Sequence, residues 1–437
     1  MSSSAVDGVA TATKYPLERR RFAVLGILWL SNCIFWASWF AQAPLLKSYW
    51  GVANHVSYSD AQYLISAVNI VAIFTVFASG YLYDRIGPRK GTTLMLIMIV
   101  IGFGLRPLVV HSFSLTLLLT IVAGCGQPLN SAAAPVVSQW FGHHRMAVPL
   151  AIAMTSVAVG QGAGQISGAT MVSTFGAAGA FAIFSGALIV CLVAWLLIVP
   201  NGPTRPAGPP GPALPPLRHA FTSMMKTRGA WTFAMLGAVY TGILTGNQSL
   251  LPGMLEHTFH ISPQQGGLDT ATFGAAEIVG MLVIGYRLAR SPRLARNGFW
   301  ISIAELLCWL LMTAVFYTAI GSLALVLLVL AACGFFFLPN FVFALTAMER
   351  LKMAGSQTAG IAAGFYFTIG NAGGFILPTI EARIVDATSD NVGLICIVVM
   401  AAAALGLWAS ALYRRNLMRD VHTPAVAAAR GEEGVSA

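Results

Sequence analysis

Glu277 has the strongest claim to chemistry in this sequence. It stands in the apolar run Gly274-Ala275-Ala276-Glu277-Ile278-Val279-Gly280, with no basic residue within a helical turn. A lone carboxyl in such surroundings is costly as an anion, which makes it a candidate proton carrier or a counter-charge to a cationic solute. The plainer alternative is a protonated side chain bonded to a neighbouring helix. Other apolar runs carry amides and aromatics: Asn32, Trp36, Trp39 and Gln42; Gln127 and Asn130; Tyr240, Asn247 and Gln248; Phe336, Asn340 and Phe343. Trp36, Trp39 and Gln42 recur every third residue and share a helix face. An amide inside an apolar run needs a partner, and aromatic faces attract cations, so the set suits a neutral or cationic organic solute. Any one aromatic taken singly is as well explained by packing or lipid contact. Of the remaining ionisable groups, Glu305 is expected to pair with Arg293 and Arg296, and Arg106, just before Pro107, to snorkel to a membrane surface. Glu349 and Glu381 are expected at helix ends, in ordinary gating or interfacial salt bridges.

Holding such residues in place calls for membrane-spanning helices. Of 437 residues, 57% are hydrophobic and 9% charged, too few polar side chains to cover a water-soluble globule of this size. About 20 apolar residues in a helix cross the roughly 30 Å hydrocarbon layer. Runs of that length are predicted near 22–46, 61–82, 92–110, 114–138, 147–172, 178–199, 230–254, 267–288, 298–318, 322–347, 358–380 and 391–413. Their apolar residues do not alternate, which excludes the strands of a barrel. The six cysteines all fall inside these runs, without disulfide or zinc spacing.

The net charge of +10 is spread in clusters between spans, not along a nucleic-acid-binding stripe. With a cytoplasmic N-terminus, 22 of the Lys and Arg residues lie inside, and only Lys47, Arg106 and Arg383 outside. Under the positive-inside rule this predicts an N-in, C-in protein of twelve spans in a cell membrane, the inner membrane if the source is bacterial. Arg19-Arg20-Arg21 and the following apolar run imitate a signal peptide, but the run is long and Pro44 would follow the cut after Ala43, so an uncleaved first span is expected. Residues 200–229, with Pro203, Pro206, Pro209, Pro210, Pro212, Pro215 and Pro216, read as an extended cytoplasmic linker. The expected organisation is thus a tail (1–21), a six-helix bundle (22–199), the linker (200–229), a second six-helix bundle (230–413) and a cytoplasmic tail (414–437). Cys125-Gly126 with Pro128 and Asn130 in the fourth span, against Cys333-Gly334 with Pro339 and Asn340 in the tenth, points to an internal repeat.

After the second span the chain reads Gly80-Tyr81-Leu82-Tyr83-Asp84-Arg85-Ile86-Gly87-Pro88-Arg89-Lys90. This resembles the signature Gly-x-Leu-x-Asp-Arg-x-Gly-Arg-Arg/Lys between helices 2 and 3 of the major facilitator superfamily, and the six-plus-six organisation matches it. The resemblance implies two parallel bundles around a midplane site, with helices 1, 4, 7 and 10 lining the cavity. It also implies that Asp84 faces the N-terminus of helix 11, near Gly355 to Thr358, and closes the cytoplasmic side. The matching loop of the second half, Gly285-Tyr286-Arg287-Leu288-Ala289-Arg290, lacks the acid.

Gly160, Gly164 and Gly168 form a four-residue stripe suited to close helix packing. Their run is similar to the signature of drug and proton antiporters without its proline. Gly370, Gly373 and Gly374 are similar to the helix 11 glycines of nitrate/nitrite transporters, but the arginines such anions need at mid-depth in helices 2 and 8 are missing, so packing or bending is the expected role. Pro339 with Glu349 resembles the choline and haem-linked retrovirus-receptor branch of the superfamily, too thinly to carry substrate residues over. Sixteen methionines raise the idea of copper, yet no Met/His cluster lies on a cavity face. No nucleotide-binding loop is present. The expectation is a monomeric secondary carrier, not an enzyme, without cofactor or metal, partnered by a small solute, the bilayer and a proton. The rivals are a proton-coupled exporter of drugs or metabolites and a non-transporting receptor or assembly factor on the same fold.

Overall fold

The computed structural model describes residues 15–141, 147–200, 217–226, 228–289, 291, 293–317, 322–349, 359–388 and 391–421. Every regular element among them is helical. In chain order they are α1 (Tyr15–Phe40), a π-helical stretch (Leu46–Ala53), α2 (Tyr58–Ala61), α3 (Tyr63–Ile86), α4 (Pro88–Gly104), a 3-10 turn (Arg106–Leu108), α5 (Phe113–Gly124), a 3-10 turn (Gln127–Leu129), α6 (Ala133–Phe141) and α7 (Ala147–Ile198). There follow α8 (Leu217–Lys226), α9 (Arg228–Phe259), α10 (Pro263–Gly280), a π-helical turn (Met281–Gly285), α11 (Tyr286–Ala289), α12 (Leu294–Tyr317), α13 (Leu323–Glu349), α14 (Ala359–Thr388) and α15 (Val392–Val421). Among the described residues, eight helices are long and apolar enough to cross a membrane. Large apolar side chains such as Phe74, Leu108, Leu197 and Leu328 point outward, as suits helices whose outer face meets lipid.

Local chemistry sets the breaks. Gly87 (φ 84°) ends α3, donating its N–H to Tyr83 O, and Pro88 opens α4 with its φ already set. Ser112 caps α5 by accepting from the Leu115 amide at 3.4 Å. Pro128, which has no N–H to donate, stands in the 3-10 turn that divides the predicted fourth span into α5 and α6. Gly176 (φ 70°) interrupts α7 between the fifth and sixth predicted spans.

The chain forms two compact units: Met1–Leu214 with Ile261–Ala271, and Pro215–His260 with Thr272–Ala437. The start of α10 therefore belongs with the first unit, where Gly267 lies against the carbonyl of Gln165. The core of the first unit gathers Phe35, Trp36, Trp39, Phe40, Trp50, Leu96, Ile99, Phe103 and Trp195. Its tightest seam runs between α1 and α7. A Cβ on Gly160, Gly164 or Gly168 would strike the carbonyls of Cys33, Ala37 and Ala41 respectively, so only hydrogen at these positions lets the two backbones come this close. In the second unit α9 and α14 make a comparable seam, with Gly373 on the Ala238 carbonyl and Gly370 beside Gly237 and Thr241.

Candidate functional site

Polar side chains in the first unit converge on the inner face of α1. Asn32 donates to Ser156 Oγ of α7 at 2.8 Å and to Asn130 Oδ1 at 3.4 Å. One turn on, Trp36 stacks obliquely on Trp39 with ring centroids 4.8 Å apart, and Phe35 and Phe40 extend the cluster. Trp39 donates to the Ile65 carbonyl at 3.1 Å, whereas the Trp36 indole N–H is buried without a partner among the described residues. Gln127 is buried in its 3-10 turn. Gln161, beside the glycine stripe, is buried with neither amide atom bonded. Its placement next to Gly160 was available in the sequence, but nothing in the pattern told which way it faces.

Arg106 is 1% exposed and does not snorkel. The 3-10 turn after α4, stiffened by Pro107, folds it back between helices. Its guanidinium donates to the Ser38 carbonyl at 3.3 Å, to Thr120 Oγ1 at 2.7 Å and, with the Gln42 amide oriented to accept, to Gln42 Oε1 at 2.7 and 2.8 Å. It also covers the Phe103 ring at 3.8 Å. Gln42 is thus committed to a basic residue that sequence reasoning had put at the surface.

Buried carboxyls mark the second unit. Glu277 is 1% exposed, and among the described residues its Oε1 has no hydrogen-bond partner. It shares a helix face with Phe273 and Gly280, which meet α13 at the Gly334 and Phe335 backbones. Glu305 is also buried, and it accepts from Asn340 instead of pairing with Arg293 or Arg296. From Arg296 to Glu305 is about 13 Å along the axis at about 1.5 Å per residue, too far for a pair within one helix. Asn340 accepts in turn from Ser302 at 3.0 Å, and Ser302 lies 3.0 Å from Ser410, so the network ties α12, α13 and α15 together. Tyr240 of α9 is buried alongside it, edge-on to Phe337. Asn247 and Gln248 are buried in α9, and Phe336 is half-buried against Phe335. Glu381, expected at a helix end, sits well inside α14, is 1% exposed, and among the described residues has neither carboxyl oxygen partnered. The α14 helix runs past the predicted boundary at 380 to Thr388, which carries the residue into the bundle.

In the loop motif, Arg85 and Lys90 are exposed and Arg89 donates to the Leu196 carbonyl at 3.1 Å. A Cβ on Gly80 would meet no described atom within 4 Å. The Asp84 side chain, the Glu349 side chain and the segment Gly355 to Thr358 lie outside the described residues. Among the described residues no group of three His, Cys, Asp or Glu side chains could hold a metal ion.

A sequence profile of the Major Facilitator Superfamily matches residues 28–378. The chain belongs to this superfamily. A Danio rerio protein, solute carrier family 49 member A3, is 25% identical over 270 residues, 58% of this chain and 57% of that protein. The chain thus matches little more than half the length of this curated relative. The superfamily fold recurs in solved structures. A bacterial homologue of the human lysosomal transporter Spinster, inward-facing and unoccupied, superposes with a TM-score of 0.70 at 14% identity, covering 93% of this chain and 98% of that one. The Escherichia coli fucose:proton symporter superposes with a TM-score of 0.62 at 12% identity, covering 90% and 99%. At these identities the likeness is one of fold. The chain is accordingly a helical, multi-pass membrane protein of a transporter family.

Proposed function

We propose that this superfamily member is a secondary active transporter of a small organic solute, neutral or cationic, working by alternating access of two six-helix bundles (22–199 and 230–413) in a cell membrane, with Glu277 coupling the cycle to protons. The observation that carries this reading is Glu277 itself: an almost fully buried carboxyl with an unbonded oxygen, between two points where α10 touches α13. A group so placed is costly when charged and gains most from a change of surroundings, which is what coupling requires. The aromatic cluster of α1, with the unbonded Trp36 indole, supports a solute with an apolar or cationic face. Arg106 does not argue for an anion, because both terminal nitrogens of its guanidinium already donate to Ser38, Gln42 and Thr120. That one structural neighbour is a proton symporter and one relative is named a solute carrier fits the same class.

Ligands found by thermal stabilisation of the purified protein, then followed into proteoliposomes with and without a pH gradient, provide the test. Glu277→Gln should cut gradient-driven uptake at least about tenfold while leaving ligand stabilisation in place, since only the proton step is removed. Intact gradient-driven uptake in Glu277→Gln would remove the coupling role. Failure of every stabilising ligand to cross would favour a non-transporting receptor.

A further inference from the structure

Beyond Glu277, the α9–α14 seam carries its own titratable group. We infer that Glu381 is a second proton-binding site, set in this seam, and that Gly246 reserves the space for it. The inference rests on the transport reading only for the use made of the proton.

The geometry is specific. A side chain on Gly246 would land on Oε2 of Glu381, so the carboxyl occupies the place where any other residue of α9 would have its Cβ. Among the described residues neither oxygen finds a donor, and the residue is nearly inaccessible. Holding a bare carboxylate in that position is strongly unfavourable, and a proton on either oxygen removes the cost.

Among the described residues, no cation is placed to substitute for the proton. Arg383 lies two residues on and is exposed. On α15 the titratable group near Glu381 is the buried thiol of Cys396, with Cys333 of α13 behind it. Helix α8 packs at the opposite end of α14, where Phe221 meets Phe365, so His219 and Lys226 are remote. On α9, Tyr240 faces Phe337, and Glu256 and His257 lie near the helix's far end.

The seam also has the means to open. Pro378 stands one turn before Glu381 in α14, and Pro252 follows Gly246 in α9; each breaks the ladder of backbone bonds and allows its helix to bend there. With the seam closed, a carboxyl oxygen holds the proton. When α14 swings from Gly246, water reaches the group and the O–H proton passes to water, leaving the carboxylate hydrated.

Infrared difference spectroscopy between mildly acidic and mildly alkaline buffer, on the full chain in lipid nanodiscs with protons as the only ligand, tests this. One component of the carbonyl stretch of protonated carboxylic acids should disappear as pH rises in the wild type and in Glu277→Gln, and that component alone should be missing from Glu381→Gln, which keeps the contributions of Glu277 and Glu305. Gly246→Ala, which crowds the carboxyl, should displace the midpoint of that band. Glu381→Gln keeps the shape of the neutral acid and should fold; if it does not, Gly246→Ala decides alone, and an unmoved midpoint overturns the site. The inference also falls if Glu381→Gln leaves the difference spectrum unchanged, if the acid band ignores pH, or if sodium or potassium ions remove it in place of alkali. Since no solute is needed, any of these results beside intact Glu277-dependent uptake sinks Glu381 alone and leaves the transport reading standing.

Discussion

The α1–α7 seam of the first unit and the α9–α14 seam of the second solve one packing problem in two ways. In the first, all three glycines sit on α7 and meet successive carbonyls of α1, and neither facing stretch, 33–41 or 160–168, contains a proline. In the second the glycines are shared, Gly242 and Gly246 on α9 with Gly370 and Gly373 on α14, both helices contain proline, and the row ends on the Glu381 carboxyl. The units correspond in smaller ways as well: each has a histidine in the left-handed region just past a helical stretch, His55 at φ 55° after Leu46–Ala53 and His260 at φ 52° after α9. What separates the seams is thus less the architecture than the residue at the end of the stripe. Backbone against backbone makes a fixed strut, whereas a glycine facing a carboxyl makes a contact whose strength can depend on protonation.

The harshest way to break this comparison is to overfill the first seam. Gly164→Val puts methyl groups into the Ala37 carbonyl and the Ala41 amide, and should cost more than about 3 kcal/mol, seen as loss of monodisperse protein on size exclusion. A well-behaved variant would show that the strut yields. Next in size is Arg106→Met, which strands Gln42 and Thr120 and should cost about 3 kcal/mol in denaturant titrations. Its counterpart in the second unit, Asn340→Leu, leaves Glu305 without its donor and should cost about 2 kcal/mol; a loss larger than that of Arg106→Met would reverse the ranking of the two polar anchors. Glu305→Gln should cost less than about 1 kcal/mol, because an amide oxygen still accepts from Asn340. The smallest effect is expected at Gly186, where a Cβ meets nothing within 4 Å: Gly186→Ala should raise thermal stability slightly, by about 0.5–1 kcal/mol from helix propensity alone.

Legibility in the sequence followed the range of the signal. Apolar run length, the Gly80–Lys90 motif and the glycine spacings are local, and local order was enough to read helices, superfamily and candidate packing stripes. Glu277 was legible because its isolation is itself a feature of the sequence. Arg106, Glu305 and Glu381 were not read correctly, because each was judged by its distance from a predicted helix end. A turn at Pro107, the facing of α12, and eight further residues of α14 from 381 to 388 decided otherwise.

By itself, then, the chain's order of residues determined that it lies in lipid as helices, since every backbone amide in hydrocarbon must be bonded and the apolar runs lack the alternation a barrel's strands would need. It likewise determined that the helices belong to a known transport superfamily. Only the tertiary structure decided which polar groups meet: Gln42 with Arg106, Asn340 with Glu305, and Glu381 set against Gly246 with no hydrogen-bond donor among the described residues. Partners on different helices are set by helix rotation and crossing, and a rotation of one residue's angle is enough to exchange a buried face for an outer one.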